Sequence, residues 1–287
     1  MGLVDVHIPL SYTRFVKGMG GFRMANQKTD QVAVVTGATG EIGKAIAYEL
    51  ARLNYSVILI TRNSEKSAQV VREIISETDN QAVGYKIADL SQKSSIESLA
   101  GNWKGSLHIL INNAAATPQT RQVTQADIEL QFATNVLGYF WMTKFFTKIL
   151  ADSSPSRVIN VASYWAGGLD LTDLEFKHRP YHNHDAYRQS KQANRMLTPI
   201  FADKLKGNGI TVNSCHPGDV NSTLSNNLGF GGSQSPAQGA RTPVWLATSK
   251  SLDGITGKYF ENQKEAHCQF GSQREEALQL YELCLSY

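Results

Sequence analysis

The stretch VAVVTGATGEIG, residues 32–43, decides the fold. Val32–Val35 is a short β-rich apolar run, and a helical periodicity begins at Gly43 and runs to Leu53. The glycines between them permit a tight turn, and they let a ligand approach the backbone at the helix N-terminus, where unpaired N–H groups attract anions. A strand, a glycine-rich turn and a helix in this order favour a phosphate-binding loop. The alternative is a strand-to-helix turn that merely needs glycine.

Outward from this loop, apolar β-rich runs alternate with helical periodicities. The predicted strands are Val32–Val35, Ser56–Ile60, Ala82–Ile87, Leu107–Ile111, Arg157–Val161, Ile210–Cys215 and Gly257–Phe260. The predicted helices are Gly43–Leu53, Ser64–Thr78, Ser91–Trp103, segments within Asp127–Leu150, Ala186–Leu205, Pro236–Thr248 and Gln273–Leu285.

This alternation predicts an α/β fold of the Rossmann type. Strands that are apolar on both faces and separated by helices predict a doubly wound parallel sheet of about seven strands, with helices on both faces. We expect a single domain over residues 31–287, preceded by an N-terminal extension over residues 1–30. The ligand of such a sheet binds at the carboxyl ends of its strands.

The composition excludes several classes of protein. Among 287 residues, 41% are hydrophobic and 18% are charged, which is typical of a folded soluble chain. A formal net charge of +3 without a Lys/Arg block argues against a nucleic-acid partner. No apolar run approaches the roughly 18 residues of a transmembrane segment. The three cysteines are widely spaced, so we expect reduced thiols and a cytoplasmic location.

The end of the second strand indicates which nucleotide is bound. A carboxylate there would hydrogen-bond the ribose 2′-OH and favour NAD. Here the strand ends in Thr61, and the next residue, Arg62, can hold a 2′-phosphate through its guanidinium fork. We therefore expect NADP(H) as the cofactor, although Arg62 as a solvated loop residue is the alternative.

A tyrosine and a lysine are spaced for one face of a long helix. Tyr187 and Lys191 stand at i and i+4. A tyrosine with a pKa near 10 is a poor acid-base group at neutral pH, and a nearby positive charge lowers that pKa. The pair alone is a frequent coincidence, but other residues near the ends of predicted strands or the start of a helix add to it. These are Asn112 and Asn113 after the fourth strand, Asn135 near a helix start, Ser163 after the fifth strand, and Pro217, Gly218 and Thr223 after the sixth.

Together these motifs resemble the short-chain dehydrogenase/reductase family from about Gln31 to Phe260. The resemblance is closest to the retinol-dehydrogenase-like members, in which an Arg also follows the second strand and His-Pro-Gly follows the sixth. It implies that Tyr187 is the acid-base residue, that Lys191 lowers its pKa, and that Ser163 orients the substrate oxygen. Asn135 would hold a water that links Lys191 to solvent.

The resemblance also implies a set of cofactor contacts. Asp89 would contact adenine, Asn113 and Ala114 the adenosine ribose, and Thr223 the carboxamide. The whole expected set is Gly37, Thr39, Gly40, Ile42, Gly43, Arg62, Asp89, Leu90, Asn113, Ala114, Ala115, Tyr187, Lys191, Pro217, Gly218, Val220 and Thr223.

The expected activity is hydride transfer between NADP(H) and a small-molecule carbonyl or alcohol. The resemblance points to a hydrophobic substrate such as a retinoid, a steroid or a lipid aldehyde. A non-catalytic nucleotide-binding sensor or scaffold on the same fold is the alternative, but such a protein has no need of the full Asn, Ser, Tyr and Lys set.

One residue departs from the family pattern. Short members carry glycine at the position of Glu41, and the spacing Gly37-x-x-Gly40-x-x-Gly43 is similar to that of the extended members. Glu41 places a carboxylate near a diphosphate, so we expect it to turn toward solvent and stabilise the helix start. If it does not, cofactor affinity suffers.

Three further expectations complete the prediction. No metal is expected, because His178, His182 and His184 lack acidic partners at ligand spacing and are better explained as loop residues. Trp165, Phe176 and Tyr181 either line a substrate pocket or belong to the core. The family implies a homodimer or homotetramer through the helices near Asn135 and Ala186, which carry the apolar residues Val136, Leu137, Phe140 and Trp141.

Overall fold

The computed structural model describes residues 30–287. Residues 1–29, which are all but the last residue of the predicted N-terminal extension, lie outside the described residues. One sheet runs through the described part of the chain, in the strand order β3-β2-β1-β4-β5-β6-β7-β8. The strands are β1 Val32–Thr36, β2 Ser56–Thr61, β3 Val83–Ile87, β4 Ile109–Asn112, β5 Ser156–Val161, β6 Ile210–Cys215, β7 Tyr259–Glu261 and β8 Lys264–Ala266.

Helices cover both faces of the sheet and bury two apolar clusters, one on each side. They are α1 Glu41–Arg52, α2 Ser64–Thr78, α3 Lys93–Gly101, α4 Gly138–Asp152, α5 Asn183–Leu205, α6 Thr223–Asn227, α7 Pro236–Thr248 and α8 Arg274–Ser286, with a π-helix at Phe132–Leu137 and 3₁₀ turns at Lys206–Asn208 and Lys250–Leu252. The predicted doubly wound single-domain fold is confirmed. The order reverses between β1 and β4, and such a switch point opens a crevice at the carboxyl ends of the strands.

The strand count differs from the predicted seven because β7 turns back into an eighth strand. β8 pairs with β7 antiparallel, whereas the pairs from β3 to β7 are parallel. Asn262 and Gln263 form the two-residue turn, and both have positive φ, as the turns of tight hairpins require. β8 reads Lys-Glu-Ala, so it lacks the apolar pattern by which the other strands were predicted.

The fold buries the apolar residues from which we expected an oligomer, and helix α8 packs on one of them. Val136, Leu137, Phe140 and Trp141 are all buried within the chain. The ring of Tyr281, on α8, lies 5.1 Å from that of Phe140 between centroids. These four side chains therefore offer no surface to a second copy. The homodimer or homotetramer stays a prediction that these residues do not support.

Candidate active site

A cavity of about 450 Å³ opens at the switch point between β1 and β4. This volume is within the range of pockets that enclose small ligands. Most of the residues expected to bind a cofactor line it: Gly37, Thr39, Gly40, Ile42, Gly43, Arg62, Asp89, Leu90, Asn113, Ala114, Ala115, Tyr187, Lys191, Pro217 and Thr223. Residues from both halves of the sheet thus meet around one space.

The glycine-rich turn is shaped by close backbone contacts. Gly37 has φ of +65°, and a Cβ there would lie 2.6 Å from Ala114 Cα. A Cβ at Gly43 would lie 2.5 Å from the carbonyl oxygen of Gly37, so neither position admits a side chain. Gly40 is different, because a Cβ there would meet only that same oxygen, at 3.5 Å. Since Gly40 also lines the cavity, the space beside it is available to a ligand.

Thr36 ties this turn to the loop after β4. Its hydroxyl oxygen accepts hydrogen bonds from the backbone N–H groups of Asn113, at 2.8 Å, and Ala114, at 3.0 Å. The Asn113 side chain donates in return to the Thr36 carbonyl, at 2.9 Å. Sequence reasoning did not single out Thr36. The available signal was a threonine at the end of β1 together with an Asn-Asn pair at the end of β4, the neighbouring strand in the sheet.

The far end of the cavity carries the residues expected to select the nucleotide. Arg62 is exposed, and within residues 30–287 its guanidinium has no hydrogen bond or ion pair to protein. The Thr61 hydroxyl is buried against that of Ser67, so it points into the fold. Asp89 accepts from the Ser91 N–H and hydroxyl, at 3.0 Å and 2.8 Å. This end therefore presents a free positive charge and no carboxylate at the tip of β2.

Tyr187 and Lys191 lie on the buried face of α5 at the opposite end of the cavity. The Tyr187 side chain is 7% exposed and that of Lys191 is 2% exposed. The Lys191 Nζ donates to the Val161 carbonyl at 2.8 Å and lies 5.6 Å from the centroid of the Tyr187 ring. Both residues line the cavity, so their functional groups are fixed at its wall.

Burial dominates the acid-base properties of this pair. It raises the pKa of Tyr187 to about 12, although a hydrogen bond with Ser163 lowers that pKa in part. Burial likewise lowers the pKa of Lys191 to about 7. We expected the ammonium to lower the pKa of the phenol. In this structure the loss of solvent outweighs any such effect.

Ser163 and Asn135 stand behind the cavity wall. Ser163 is 5% exposed, and its hydroxyl oxygen accepts from the Trp165 N–H at 3.1 Å. Asn135 is fully buried in the π-helix, and its side chain exchanges two hydrogen bonds with the backbone of Ala116, at 2.7 Å and 3.0 Å. The Asn135 carbonyl accepts from the side chain of Asn194 at 2.9 Å. Asn135 thus fixes Ala116, which lines the cavity.

Two of the expected cofactor residues do not line the cavity. Gly218 has φ of +106°, and a Cβ there would lie 1.9 Å from the side-chain oxygen of Gln234. Val220 is buried and forms a β-bridge with Gln234. Both residues therefore shape the turn after β6. Their contact with the cofactor stays a prediction, which the lining of this cavity does not support.

Glu41 does not turn toward solvent as we expected. Its Oε1 accepts hydrogen bonds from the Thr223 hydroxyl, at 2.6 Å, and from the Thr223 N–H, at 3.1 Å. Both residues line the cavity. The N–H at the first residue of α6 has no partner within the helix. The Glu41 carboxylate accepts from it in a charge-assisted hydrogen bond, which is stronger than a bond between neutral groups.

The aromatic residues between β5 and α5 divide into two groups. Phe176 is 4% exposed and belongs to the folded interior, where it packs on the half-buried Tyr181, at 5.5 Å between ring centroids. Trp165 instead contacts Phe230, which lies far from it in the sequence, at 4.1 Å between ring centroids. Tyr164 beside it is 47% exposed. We call Tyr164, Trp165 and Phe230 the aromatic cluster, which adjoins Ser163.

No metal centre or membrane span accompanies this site in the part of the chain that the structure describes. Residues 30–287 hold no group of three or more His, Cys, Asp or Glu side chains placed to bind a metal ion. Over the same residues, no helix is both long and apolar enough to cross a membrane.

The fold and the site together define a dinucleotide-binding α/β protein with a buried Tyr-Lys pair at its switch point. The family model for short chain dehydrogenases matches residues 31–229. The chain therefore belongs to the short-chain dehydrogenase family, and within it the chain is a retinol-dehydrogenase-like member.

Curated relatives share about a third of their residues with this chain. Human retinol dehydrogenase 13 is 34% identical over 255 residues, which cover 82% of this chain and 77% of the relative. Human polyprenol dehydrogenase is 34% identical over 260 residues, covering 83% of this chain and 78% of that protein.

Solved structures show the same architecture. An uncharacterized protein from Mycobacterium Paratuberculosis superposes with a TM-score of 0.74 and 26% identity, covering 90% of this chain and 94% of that one. A short chain dehydrogenase from Shigella flexneri 2A str. 301, complexed with NADP, superposes with a TM-score of 0.66 at 23% identity, covering 83% of this chain and 99% of that one. At that identity, the second likeness concerns the fold alone.

Proposed function

We propose that this oxidoreductase transfers hydride between NADP(H) and a carbonyl or alcohol on an apolar substrate. The observation that carries the proposal is one cavity with a glycine-rich phosphate loop at one end and the buried Tyr187-Lys191 pair at the other. A scaffold that only held a nucleotide would have no use for burying a phenol and an amine at its wall. The alternative of a non-catalytic sensor is therefore not favoured.

The residues present fit a nicotinamide dinucleotide. Gly40 leaves room beside the N-terminus of α1, where a diphosphate would find unpaired N–H groups. Asp89, Asn113 and Ala114 would hold the adenosine portion, and Tyr187 and Lys191 the nicotinamide ribose. Pro217 would pack beside the nicotinamide ring. When bound, the reduced nicotinamide supplies the hydride.

NADP(H) rather than NAD(H) is favoured by Arg62. Its guanidinium is exposed, unpaired within the described residues and adjacent to the cavity, so it is free to bind a 2′-phosphate. The buried Thr61 offers no carboxylate to a ribose diol.

The proton transfer falls to Tyr187. Its hydroxyl would donate a proton to the substrate oxygen as the carbonyl carbon is reduced, and it would take the proton back in the reverse direction. Ser163 is hydrogen-bonded to Tyr187, so it is placed to hold the same oxygen. Lys191 would stabilise the phenolate by its charge. Its lowered pKa, about 7, suits a group that passes protons at neutral pH. Asn135 would support the water that reaches Lys191.

An apolar substrate is favoured by the aromatic cluster. Trp165 and Phe230 contact each other next to Ser163, and Tyr164 and Phe230 are exposed. Exposed aromatic groups beside a reactive site bind apolar surface. The relatives that carry the names retinol dehydrogenase and polyprenol dehydrogenase are consistent with an isoprenoid or similarly apolar aldehyde.

A carbonyl panel tests this function. Retinal, a steroid ketone, a long-chain aldehyde and glyceraldehyde are each supplied with NADPH or NADH, and loss of reduced nicotinamide is followed by absorbance. We expect turnover of the apolar carbonyls with NADPH and little with glyceraldehyde. Phe230→Ala should raise KM for the apolar carbonyls more than it lowers kcat, whereas Leu278→Ala, a similarly exposed side chain on α8, serves as the control. No turnover with any member would count against catalysis.

We also propose that the protein works in the cytoplasm. Its three cysteines are free in the structure, as in a reducing compartment. Fractionation of cells that express the full chain tests this location, and recovery in a membrane fraction that needs detergent would contradict it.

A further inference from the structure

Glu41 joins two walls of the cavity that are far apart in sequence. Glu41 is the first residue of α1, and Thr223 is the first residue of α6. One carboxylate oxygen of Glu41 accepts from both the hydroxyl and the N–H of Thr223. Burial raises the pKa of Glu41, but the hydrogen bonds from Thr223 and from the Glu41 backbone together outweigh it, and the pKa is lowered overall. The carboxylate is therefore ionised at neutral pH, and both bonds are charge-assisted.

The short segment that Glu41 holds is also held at its other end. We call residues 222–227 the strap; they comprise the cap residue and the whole of α6. The carbonyl of Asn227 accepts from the Asn183 side chain at 3.2 Å, and also from that of Gln119. Asn183 begins α5, and Gln119 lies in the loop after β4. Hydrogen bonds thus connect the first part of the strap to the glycine-rich turn and its last residue to α5, the helix that carries Tyr187 and Lys191.

This strap forms part of the cavity wall. Ser222, Thr223, Leu224 and Asn227 all line the cavity, as do Gly40, Glu41 and Ile42 opposite them. A dinucleotide that lies between the glycine-rich turn and Tyr187 must pass beside the Glu41–Thr223 contact. The contact therefore lies where it can control the entry and release of that ligand.

The contact also sets what Thr223 can offer to a ligand. A hydroxyl has one hydrogen to donate and two lone pairs that accept. Thr223 donates its hydroxyl hydrogen and its N–H to Glu41, so its oxygen is left to accept from an N–H group. A carboxamide NH₂ is such a donor. The two donors of Thr223 also offset part of the negative charge on the Glu41 oxygen, and this weakens its repulsion of a nearby diphosphate.

We propose that Glu41 is a positioning residue: it ties the strap to the glycine-rich turn, slows dinucleotide release and holds Thr223 as a hydrogen-bond acceptor. This inference rests on the proposed function for its ligand. The tie itself is a property of the protein alone.

Hydrogen exchange of the protein without added nucleotide tests the tie. Glu41→Ala should speed exchange of the backbone amides in 223–227 by about tenfold or more, since a hydrogen bond to a charged group is lost. Glu49→Gln is the matched control, because it changes a carboxylate on the outer part of the same helix, paired with Arg52. Unchanged exchange in the strap of Glu41→Ala would overturn the tie, whether or not the protein binds NADPH.

The release rate of NADPH tests the second part of the proposal, which is that the Glu41–Thr223 contact slows dinucleotide release. Stopped-flow fluorescence should show release that is about tenfold faster from both Glu41→Ala and Thr223→Val than from the unmodified protein. The increase in the double variant should be smaller than the product of the two single increases, because the Thr223 hydroxyl acts on release through its contact with Glu41. Additive effects, or unchanged release, would overturn the proposal. Failure of the unmodified protein to bind NADPH would instead contradict the proposed cofactor, and the exchange experiment would still decide the tie.

Discussion

The two ends of the cavity are built in opposite ways. At the catalytic end, Tyr187 and Lys191 are buried, and Lys191 is bonded to the Val161 carbonyl. At the nucleotide end, Arg62 is exposed and has no partner among the described residues. The difference teaches that proton transfer depends on groups that the fold fixes in advance, whereas cofactor choice depends on a side chain that the fold leaves free. Changes at the two ends should therefore differ in size and in kind.

The largest effect is expected from Tyr187→Phe. The change removes the proton donor and keeps the ring, so turnover should fall at least about a hundredfold while NADPH affinity changes little. Steady-state kinetics and a fluorescence titration of NADPH measure the two quantities. Turnover near that of the unmodified protein would rule out Tyr187 as the acid-base residue.

A smaller effect is expected from Arg62→Ala. Loss of one exposed charge from a phosphate site should lower kcat/KM with NADPH by about tenfold and leave the value with NADH nearly unchanged. Arg72→Ala is the control, since Arg72 is also exposed but lies on α2 and does not line the cavity. Equal use of both cofactors by the unmodified protein would contradict the role of Arg62.

The smallest effect is expected on stability, from Lys191→Met. Burial lowers the pKa of Lys191 to about 7, whereas an unfolded lysine titrates near 10.5. Between these two pKa values the unfolded chain binds more protons than the folded protein does, so Lys191 makes the free energy of unfolding rise with pH. The destabilisation caused by burying Lys191 is therefore greatest below a pH of about 7. The variant should therefore gain a few degrees in Tm at pH 6 relative to the unmodified protein, and less at pH 9.

The matched control for this comparison is Lys204→Met, on the same helix but exposed. Melting curves without nucleotide over this pH range measure the effect. A gain in Tm that does not depend on pH would mean that Lys191 is not titrating in the folded protein.

The sequence predicted the parts of the molecule that depend on local patterns. Ser64–Thr78, Ile210–Cys215 and Pro236–Thr248 have the same bounds in the structure as in the prediction. Their apolar periodicity and end signals are strong, as in the capping box at Ser235. The confirmed sheet follows from that alternation. The positions of Tyr187 and Lys191 along one helix face follow from their spacing, although their roles stay a prediction.

The parts that the sequence did not predict depend on contacts between distant segments. The Glu41–Thr223 contact joins residues 182 positions apart. The pKa of Tyr187 depends on burial by the whole fold rather than on its charged neighbour alone. Helix α8 covers Phe140, so an apolar stripe that could have belonged to an interface belongs to the core. Periodicity identifies an apolar face but cannot say what covers it.

The antiparallel hairpin of β7 and β8 has a consequence for the behaviour of the protein in crowded solution. The last strand of a sheet presents unpaired N–H and C=O groups, which can recruit strands of other chains and begin aggregation. Here that position is taken by a strand of three residues, Lys264–Ala266, whose lysine and glutamate are exposed. A short, charged final strand gives another chain little to pair with. The residues that broke the apolar pattern of the sheet thus protect it against self-association along this edge.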